Sequence, residues 1–292
     1  MTAVALAGVF APITTPFDAR GNVAPSEHAD NVARLSAAGL DGFLVAGSTG
    51  EAPLLDLDEY RVLVAATRRA LPVGKTLLVG TGAEATRQAV ALSRVAADEG
   101  ADAVVVRAPS YFGPVSPPET LVAYYRGVAD GSPIPVLVYN MPKFTHVTIP
   151  PAVLEQLKDH PNIIGSKDSS GDTANLAAYR KAVPQWSLLS GSASLLFSAL
   201  DLGCSGGVVA VACFAPAPCV ALVAAFRAGD KAKAAAIQET LQPFDREIVG
   251  RLGPAGVKAA MDAAGYHGGP PRAPLAPIAA SDRERIARLL AA

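Results

Sequence analysis

A single lysine sits where a β-strand would hand it to solvent. In Ile163-Ile164-Gly165-Ser166-Lys167, β-branched residues lead into the amine, and Asp168-Ser169-Ser170-Gly171-Asp172 follows as a small polar run. This pattern predicts a strand with Lys167 at its C-terminal end and Asp172 as the cap of the next helix. Strand ends are wet, and a lysine there is ordinarily just solvated. An amine held among apolar walls instead loses part of its preference for the charged form and can attack a ketone. Its companions favour the second reading. Gly47-Ser48-Thr49-Gly50-Glu51 combines backbone freedom at two glycines with the Ser48 and Thr49 hydroxyls and several N–H groups, donors suited to a carboxylate. On its own that segment reads equally as a helix-capping turn. Tyr111, in Pro109-Ser110-Tyr111-Phe112, and Tyr139, in Tyr139-Asn140-Met141-Pro142, each follow or end a strand pattern. Either alone would be an amphipathic rim residue. Together, an amine, two phenols, adjacent hydroxyls and an anion site form the set that Schiff-base chemistry on a 2-oxo acid requires: nucleophile, carboxylate donors and proton carrier. The candidate catalytic residues are therefore Lys167, Tyr139, Ser48 and Tyr111. The candidate substrate-binding positions are Gly47, Ser48, Thr49, Ser169 and Gly191.

Metal chemistry is poorly supplied. His28, His146, His160 and His267 are scattered, with no pair at ligand spacing. Cys204, Cys213 and Cys219 are odd in number, sit in apolar surroundings and lack the paired spacing of a zinc site, and are read as reduced core residues of a cytosolic protein.

Positioning these residues requires strands that end at one face. Apolar strand patterns alternate with amphipathic helix patterns eight times: Gly8–Thr14 with Pro25–Ala38, Gly42–Ala46 with Asp58–Ala70, Thr76–Gly80 with Ala83–Asp98, Ala103–Arg107 with Pro117–Asp130, Ile134–Tyr139 with Pro151–Lys158, Ile163–Lys167 with Thr173–Val183, Ser187–Ser190 with Ser194–Leu202, and Gly207–Val211 with Pro218–Phe226. Strands apolar on both faces and alternating with helices predict a parallel sheet, and eight units predict a (β/α)8 TIM barrel, with its chemistry at the C-terminal strand ends. A doubly wound sheet is the runner-up, but Gly80-Thr81-Gly82-Ala83-Glu84-Ala85 lacks the third glycine of a dinucleotide fingerprint. After Gly229 the pattern is purely helical (Lys231–Val249, Ala255–Ala264, Ser281–Leu290, around a Gly/Pro-rich Gly265–Pro277). The expected organisation is a barrel over 1–228 with a helical subdomain over 229–292 packed on it.

The 292 residues are 50% hydrophobic and carry 25 Lys plus Arg against 26 Asp plus Glu, so nothing electrostatic points to nucleic acid or an anionic membrane. The start of the chain lacks the build of a secretion signal. Between Asp201 and Arg227 no charged residue occurs, but Gly206-Gly207, Pro216 and Pro218 would break a membrane-spanning helix there. A small-molecule enzyme is the expectation. The other class in contention is a silent 2-oxo-acid sensor, which would not need both Lys167 and Tyr139.

Taken together, Gly47-Ser48-Thr49-Gly50-Glu51, Tyr139-Asn140-Met141-Pro142 and Gly165-Ser166-Lys167-Asp168-Ser169-Ser170-Gly171-Asp172 resemble the dihydrodipicolinate synthase and N-acetylneuraminate lyase family of class I aldolases, over essentially the whole chain. The resemblance implies a pyruvate Schiff base on Lys167 with Tyr139 as proton carrier. It implies that Ser48 relays protons between Tyr139 and Tyr111, that Tyr111 reaches a neighbouring subunit's site, and that Ser48 and Thr49 hold the pyruvate carboxylate. It also implies a cytoplasmic homotetramer, a dimer of dimers, that needs no metal or organic cofactor. Synthases of the family usually carry an arginine two residues after the proline of Tyr-Asn-x-Pro, for the distal carboxylate of the second substrate; here that position is Phe144, and an apolar ring cannot replace a guanidinium. Ala108–Phe112, Ser132–Val136 and Gly265–Leu275 look most like 4-hydroxy-2-oxoglutarate aldolases. The expected reaction is therefore cleavage of a 4-hydroxy-2-oxo acid to pyruvate and an aldehyde. Dipicolinate synthesis and a 2-keto-3-deoxy sugar acid aldolase or dehydratase are the alternatives. Arg107 and Arg272 are the reservation, since either could in principle reach the mouth and take over that contact.

Overall fold

A computed structural model describes residue 4 and residues 6–113 and 117–291. Eight parallel strands close into a barrel in chain order: β1 (Gly8–Ala11), β2 (Gly42–Val45), β3 (Thr76–Gly80), β4 (Ala103–Arg107), β5 (Val136–Asn140), β6 (Ile163–Asp168), β7 (Ser187–Ser190) and β8 (Gly206–Val208). Helices α1 (Pro25–Ala37), α2 (Leu57–Ala70), α3 (Thr86–Asp98), α4 (Pro118–Gly131), α5 (Pro142–Thr145), α6 (Pro151–Leu157), α7 (Thr173–Ala182), α8 (Leu196–Asp201) and α9 (Pro216–Arg227) form the outer layer. After them come α10 (Lys231–Pro243), a π-helical turn (Phe244–Gly250), α11 (Arg251–Ala263) and α12 (Ala280–Ala291). This is the (β/α)8 barrel that the strand and helix alternation predicts, with C-terminal helices added.

The strands sort their side chains by a period of two. Phe10, Leu44, Leu78, Val105, Leu137, Tyr139, Leu189 and Val208 form the inner cluster. Their neighbours Val9, Phe43, Leu77, Val104, Val138 and Leu188 belong to the much larger core between sheet and helices. Lys167 pairs in register with Tyr139 on one side and Leu189 on the other, so it shares their inner face.

Where the structure departs from the sequence pattern, local chemistry explains it. β1 stops at Ala11 instead of running to Thr14, because Pro12 has no N–H for the ladder. β2 stops before Ala46, whose φ of 50° lies in the left-handed region. β8 gives way after Val208 to a 3₁₀ turn at Ala210–Cys213. The predicted helix Lys231–Val249 passes into the π-helical turn after Pro243, and the next helix contains a non-helical Gly253 before Pro254. The uncharged stretch after Asp201 divides among α9, β8 and turns, and among the described residues no helix is long and apolar enough to cross a membrane. All three cysteines are buried and free.

His28 joins α1 to α2. It is fully buried, its Nε2 lies 2.8 Å from Thr67 Oγ1, and burial pushes its imidazole down to about 4 from 6.5. The unfolded chain therefore takes up this proton first on acidification, so stability is intact above about pH 6.5 and falls as the pH drops toward 4, by roughly 3 kcal/mol from this group. His28→Gln is expected to flatten the stability curve between pH 6.5 and 4 relative to the unsubstituted protein. Parallel denaturation curves for the two proteins would refute the assignment.

Candidate active site

The register between β5 and β6 builds the centre of the site. Tyr139 and Lys167 are direct partners, as are Asn140 and Asp168. Lys167 is 3% exposed and its Nζ lies 4.3 Å from the centroid of the Tyr139 ring. Burial alone would raise the Tyr139 phenol, but the Lys167 charge and hydrogen bonds from Ser169, Ser48 and Lys167 outweigh it and hold the phenol below its ordinary value. Ser169 Oγ stands 3.5 Å from the phenol oxygen, a long contact. A phenol so lowered gives up and retakes a proton more readily near neutral pH, as a proton carrier must.

Asp168, next in the chain to Lys167, is committed elsewhere. Its carboxylate accepts from Asn140 Nδ2 at 2.7 Å, Ser170 Oγ at 2.7 Å and Ser170 N at 3.3 Å. Asn140 Oδ1 in turn accepts the Ile149 N–H. This network shapes the loop that carries Ser169. Asp172 caps α7 by accepting the Ala174 N–H at 2.8 Å, as its position in the sequence predicts.

The Gly47–Glu51 loop is bent sharply. Ala46 and Glu51 both adopt left-handed φ, 50° and 58°, at an expected cost on the order of 1 kcal/mol or more each. A Cβ on Gly80 would lie 2.0 Å from Ala46 O, so the backbones of β3 and this loop meet where only glycine fits. The strain is held by a buried ion pair. Glu51 is 2% exposed and Lys258, on α11, is 0% exposed, and Lys258 Nζ lies 2.5 Å from Glu51 Oε1. Lys258 also donates to Pro270 O at 2.7 Å and sits 4.3 Å over the Phe17 ring, while Glu51 Oε2 accepts the Arg272 N–H at 2.9 Å. Burial lowers the Lys258 ammonium from its ordinary value, against the pull of Glu51. Neither the Ser48 nor the Thr49 N–H has an acceptor among the described residues, so both backbone donors remain free to meet an anion.

A cavity of about 280 Å³ opens over this centre. Lys167, Tyr139, Ser48, Thr49, Ser169 and Gly191 all line it; a Cβ on Gly191 would lie 1.8 Å from Ser169 Oγ. Gly47 lines a smaller neighbouring cavity of about 160 Å³ that also touches Ser48 and Tyr139. Tyr111 lines neither. It is 80% exposed, packs edge-on against Phe112, and donates its backbone N–H to Glu84. Within one chain, then, Tyr111 stays outside the group formed by the other candidates.

Arg107 and Arg272 are not in the large cavity either. Arg272 forks onto Glu59, donates to Leu54 O and Gly21 O, and stacks 4.1 Å over Phe17. Arg107 pairs with Glu84 at 2.9 Å. Both guanidiniums are engaged by carboxylates, and neither lines the cavity that holds Lys167, although Arg107 lines the smaller one beside Tyr139.

Sequence reasoning missed Glu84, Lys258, Asp245, Arg246 and Lys143. Glu84 collects the Ser110 and Tyr111 N–H groups, the Ser110 hydroxyl and Arg107; burial opposes, but these donors hold its carboxyl down at about 2. Lys258 alone had a visible signal, one charge inside the apolar run Gly256–Met261. Among the described residues no three His, Cys, Asp or Glu side chains are grouped as a metal would need.

A closed parallel barrel with a buried lysine and a phenol at its C-terminal mouth is the architecture of a Schiff-base lyase. The Dihydrodipicolinate synthetase family profile matches residues 5–292, and the chain belongs to that family: it is a class I, pyruvate-dependent enzyme of the lyase type. It is 36% identical over 287 residues to the 4-hydroxy-tetrahydrodipicolinate synthase of Synechococcus sp. (strain CC9605), covering 97% of this chain and 94% of the relative. Among solved structures it is similar to YagE, a prophage protein of E. coli of the dihydrodipicolinic acid synthase family in complex with pyruvate (TM-score 0.92, 31% identity, 99% of this chain and 98% of that one). It is also similar to a dihydrodipicolinate synthase of Bacillus anthracis (TM-score 0.94, 26% identity, 99% of each chain).

Removing one member of a buried pair strands the other charge, at about 3–5 kcal/mol. Lys258→Met is therefore expected to lower the denaturation midpoint sharply and to raise KM for the oxo acid through the Ser48–Thr49 loop. Lys258→Met combined with Glu51→Leu should recover part of the stability. A double variant as unstable as the sum of the single losses would show that the two charges are not coupled.

Proposed function

We propose that Lys167 forms a Schiff base with pyruvate and that the resulting enamine forms a carbon–carbon bond with an aldehyde. The observation that carries this reading is the pairing of buried Lys167 with a Tyr139 phenol held below its ordinary value, in one cavity with Ser48 and Thr49. The neutral amine adds to C2 of pyruvate, and the carbinolamine hydroxyl leaves as water with a proton supplied through Tyr139. Loss of a proton from C3 then gives the enamine. Its C3 attacks the aldehyde carbon, the aldehyde oxygen takes up a proton to become a hydroxyl, and water releases the 4-hydroxy-2-oxo acid from Lys167. Cleavage is the same sequence reversed. Ser48 and Thr49 hold the pyruvate carboxylate; Ser169 and Gly191 complete the wall.

For the aldehyde, two observations compete. The curated relatives named 4-hydroxy-tetrahydrodipicolinate synthase are 33–36% identical across 95–97% of this chain, which supports condensation with aspartate semialdehyde. Phe144, where those enzymes usually have arginine, is what supports cleavage of 4-hydroxy-2-oxoglutarate. Phe144 does not leave the mouth uncharged, however, because Lys143 and Arg246 line the same cavity. We therefore place the synthase reaction first and the lyase reaction second. By resemblance to the family, the working form is a homotetramer in the cytoplasm in which Tyr111 reaches a neighbour's site.

With pyruvate present, borohydride is expected to trap a covalent adduct on Lys167, located by peptide mass analysis, and Lys167→Ala should lose both trapping and turnover. An adduct on Lys143 or Lys158 would move the nucleophile. On one preparation, the specificity constant for aspartate semialdehyde plus pyruvate is expected to exceed that for pyruvate release from 4-hydroxy-2-oxoglutarate, read by coupling to lactate dehydrogenase. The reverse order would establish the lyase reading.

A further inference from the structure

Part of the cavity lining is basic. Of the charged residues lining the cavity, Lys143, Lys167 and Arg246 are cationic and Asp245 alone is acidic. Asp245 is buried and its Oδ2 is occupied, accepting the Ser192 hydroxyl at 2.6 Å and the Ser194 N–H at 2.8 Å. That anchorage pins the π-helical turn Phe244–Gly250 to the loop after β7 and leaves the next residue, Arg246, exposed on the cavity wall. The Arg246 guanidinium has no hydrogen-bond or ion-pair partner among the described residues, whereas that of Arg251, just beyond the same turn, is bound by Asp282 at 2.6 Å. Lys143, in α5, donates to Gly250 O at 2.5 Å and lies 5.7 Å over the Phe144 ring, one hydrogen bond that leaves two of its three N–H donors unspent.

We infer that Arg246, assisted by Lys143, binds the distal carboxylate of the aldehyde substrate, in place of an arginine at position 144. This rests on the pyruvate reading above and adds to it the residues that hold the acceptor's carboxylate. A guanidinium on this turn can meet a carboxylate with two parallel N–H donors, and the ammonium of Lys143 adds a point charge beside it. The half-exposed Phe144 ring then serves as an apolar neighbour that reduces competition from water. The two carboxylate sites are built from different segments lining one cavity, the Ser48–Thr49 loop after β2 for pyruvate and Lys143 with Arg246 for the acceptor. Lys167 lies within the same cavity, where a bond between the two substrates would form.

The test is steady-state kinetics of Arg246→Gln, Arg246→Lys and the double variant Arg246→Gln with Lys143→Gln, beside borohydride trapping of pyruvate on each. Arg246→Gln is expected to lower kcat/KM for aspartate semialdehyde by about 10- to 100-fold, mostly through KM for that substrate. The lysine variant should recover part of the loss, the double variant should lose more, and trapping of pyruvate on Lys167 should persist in all three. Unchanged semialdehyde kinetics in the double variant would overturn the inference. So would a parallel loss of trapping, because Arg246 would then be supporting the fold rather than the acceptor. Failure of the unsubstituted protein to trap pyruvate would instead overturn the reading on which the inference stands, and that outcome is separate from the other two.

Discussion

A parallel sheet leaves two edges of unpaired backbone unless it closes, and here closure is made where β1 pairs with β8. That seam depends on near-contact of two glycines. A Cβ on Gly206 would lie 1.9 Å from Gly8 O, and one on Gly8 would lie 1.9 Å from the Asp41 carboxylate, which accepts the Val9 N–H at 2.8 Å. Once the ring closes, all eight C-terminal strand ends face one mouth. Ser48, Tyr139 and Lys167, widely separated along the chain, then have nowhere to go but one cavity.

The loops at that mouth are held by carboxylates that spend themselves on the protein. Glu51 is clamped by Lys258 and the Arg272 N–H, Glu84 gathers the Ser110–Tyr111 backbone, Asp168 ties Asn140 to Ser170, and Asp245 ties the π-helical turn to Ser192 and Ser194. Each converts a flexible connection into a fixed one, and for the buried Glu51, Asp168 and Asp245 this comes at the cost of desolvating a charge. The electrostatic result is as useful as the mechanical one. With these acids satisfied by the chain itself, the groups left facing the cavity are donors and cations, suited to a substrate pair that brings its own negative charge.

The C-terminal helices belong to this design. α11 supplies Lys258, and Asp245 through Val257 contribute part of the cavity lining. The segment after the eighth strand therefore both supports the Ser48–Thr49 loop, through Glu51, and forms part of the cavity wall.

From the sequence alone, the burial of the strands on both faces, the eightfold alternation with helices and the position of Lys167 at the end of β6 were legible, because each is a local pattern that burial and backbone geometry impose on neighbouring residues. So were Tyr139, Ser48 and Thr49, which stand at strand ends that a barrel must bring together. What only the tertiary structure decided were contacts between residues far apart in sequence. The pairing of Lys258 with Glu51, the commitment of Arg107 to Glu84 and of Arg272 to Glu59, and the arrival of Arg246 at the mouth through a π-helical turn leave no periodic trace, because a lone charged residue looks the same in sequence whether it is buried in a pair, tied to a loop or facing a substrate.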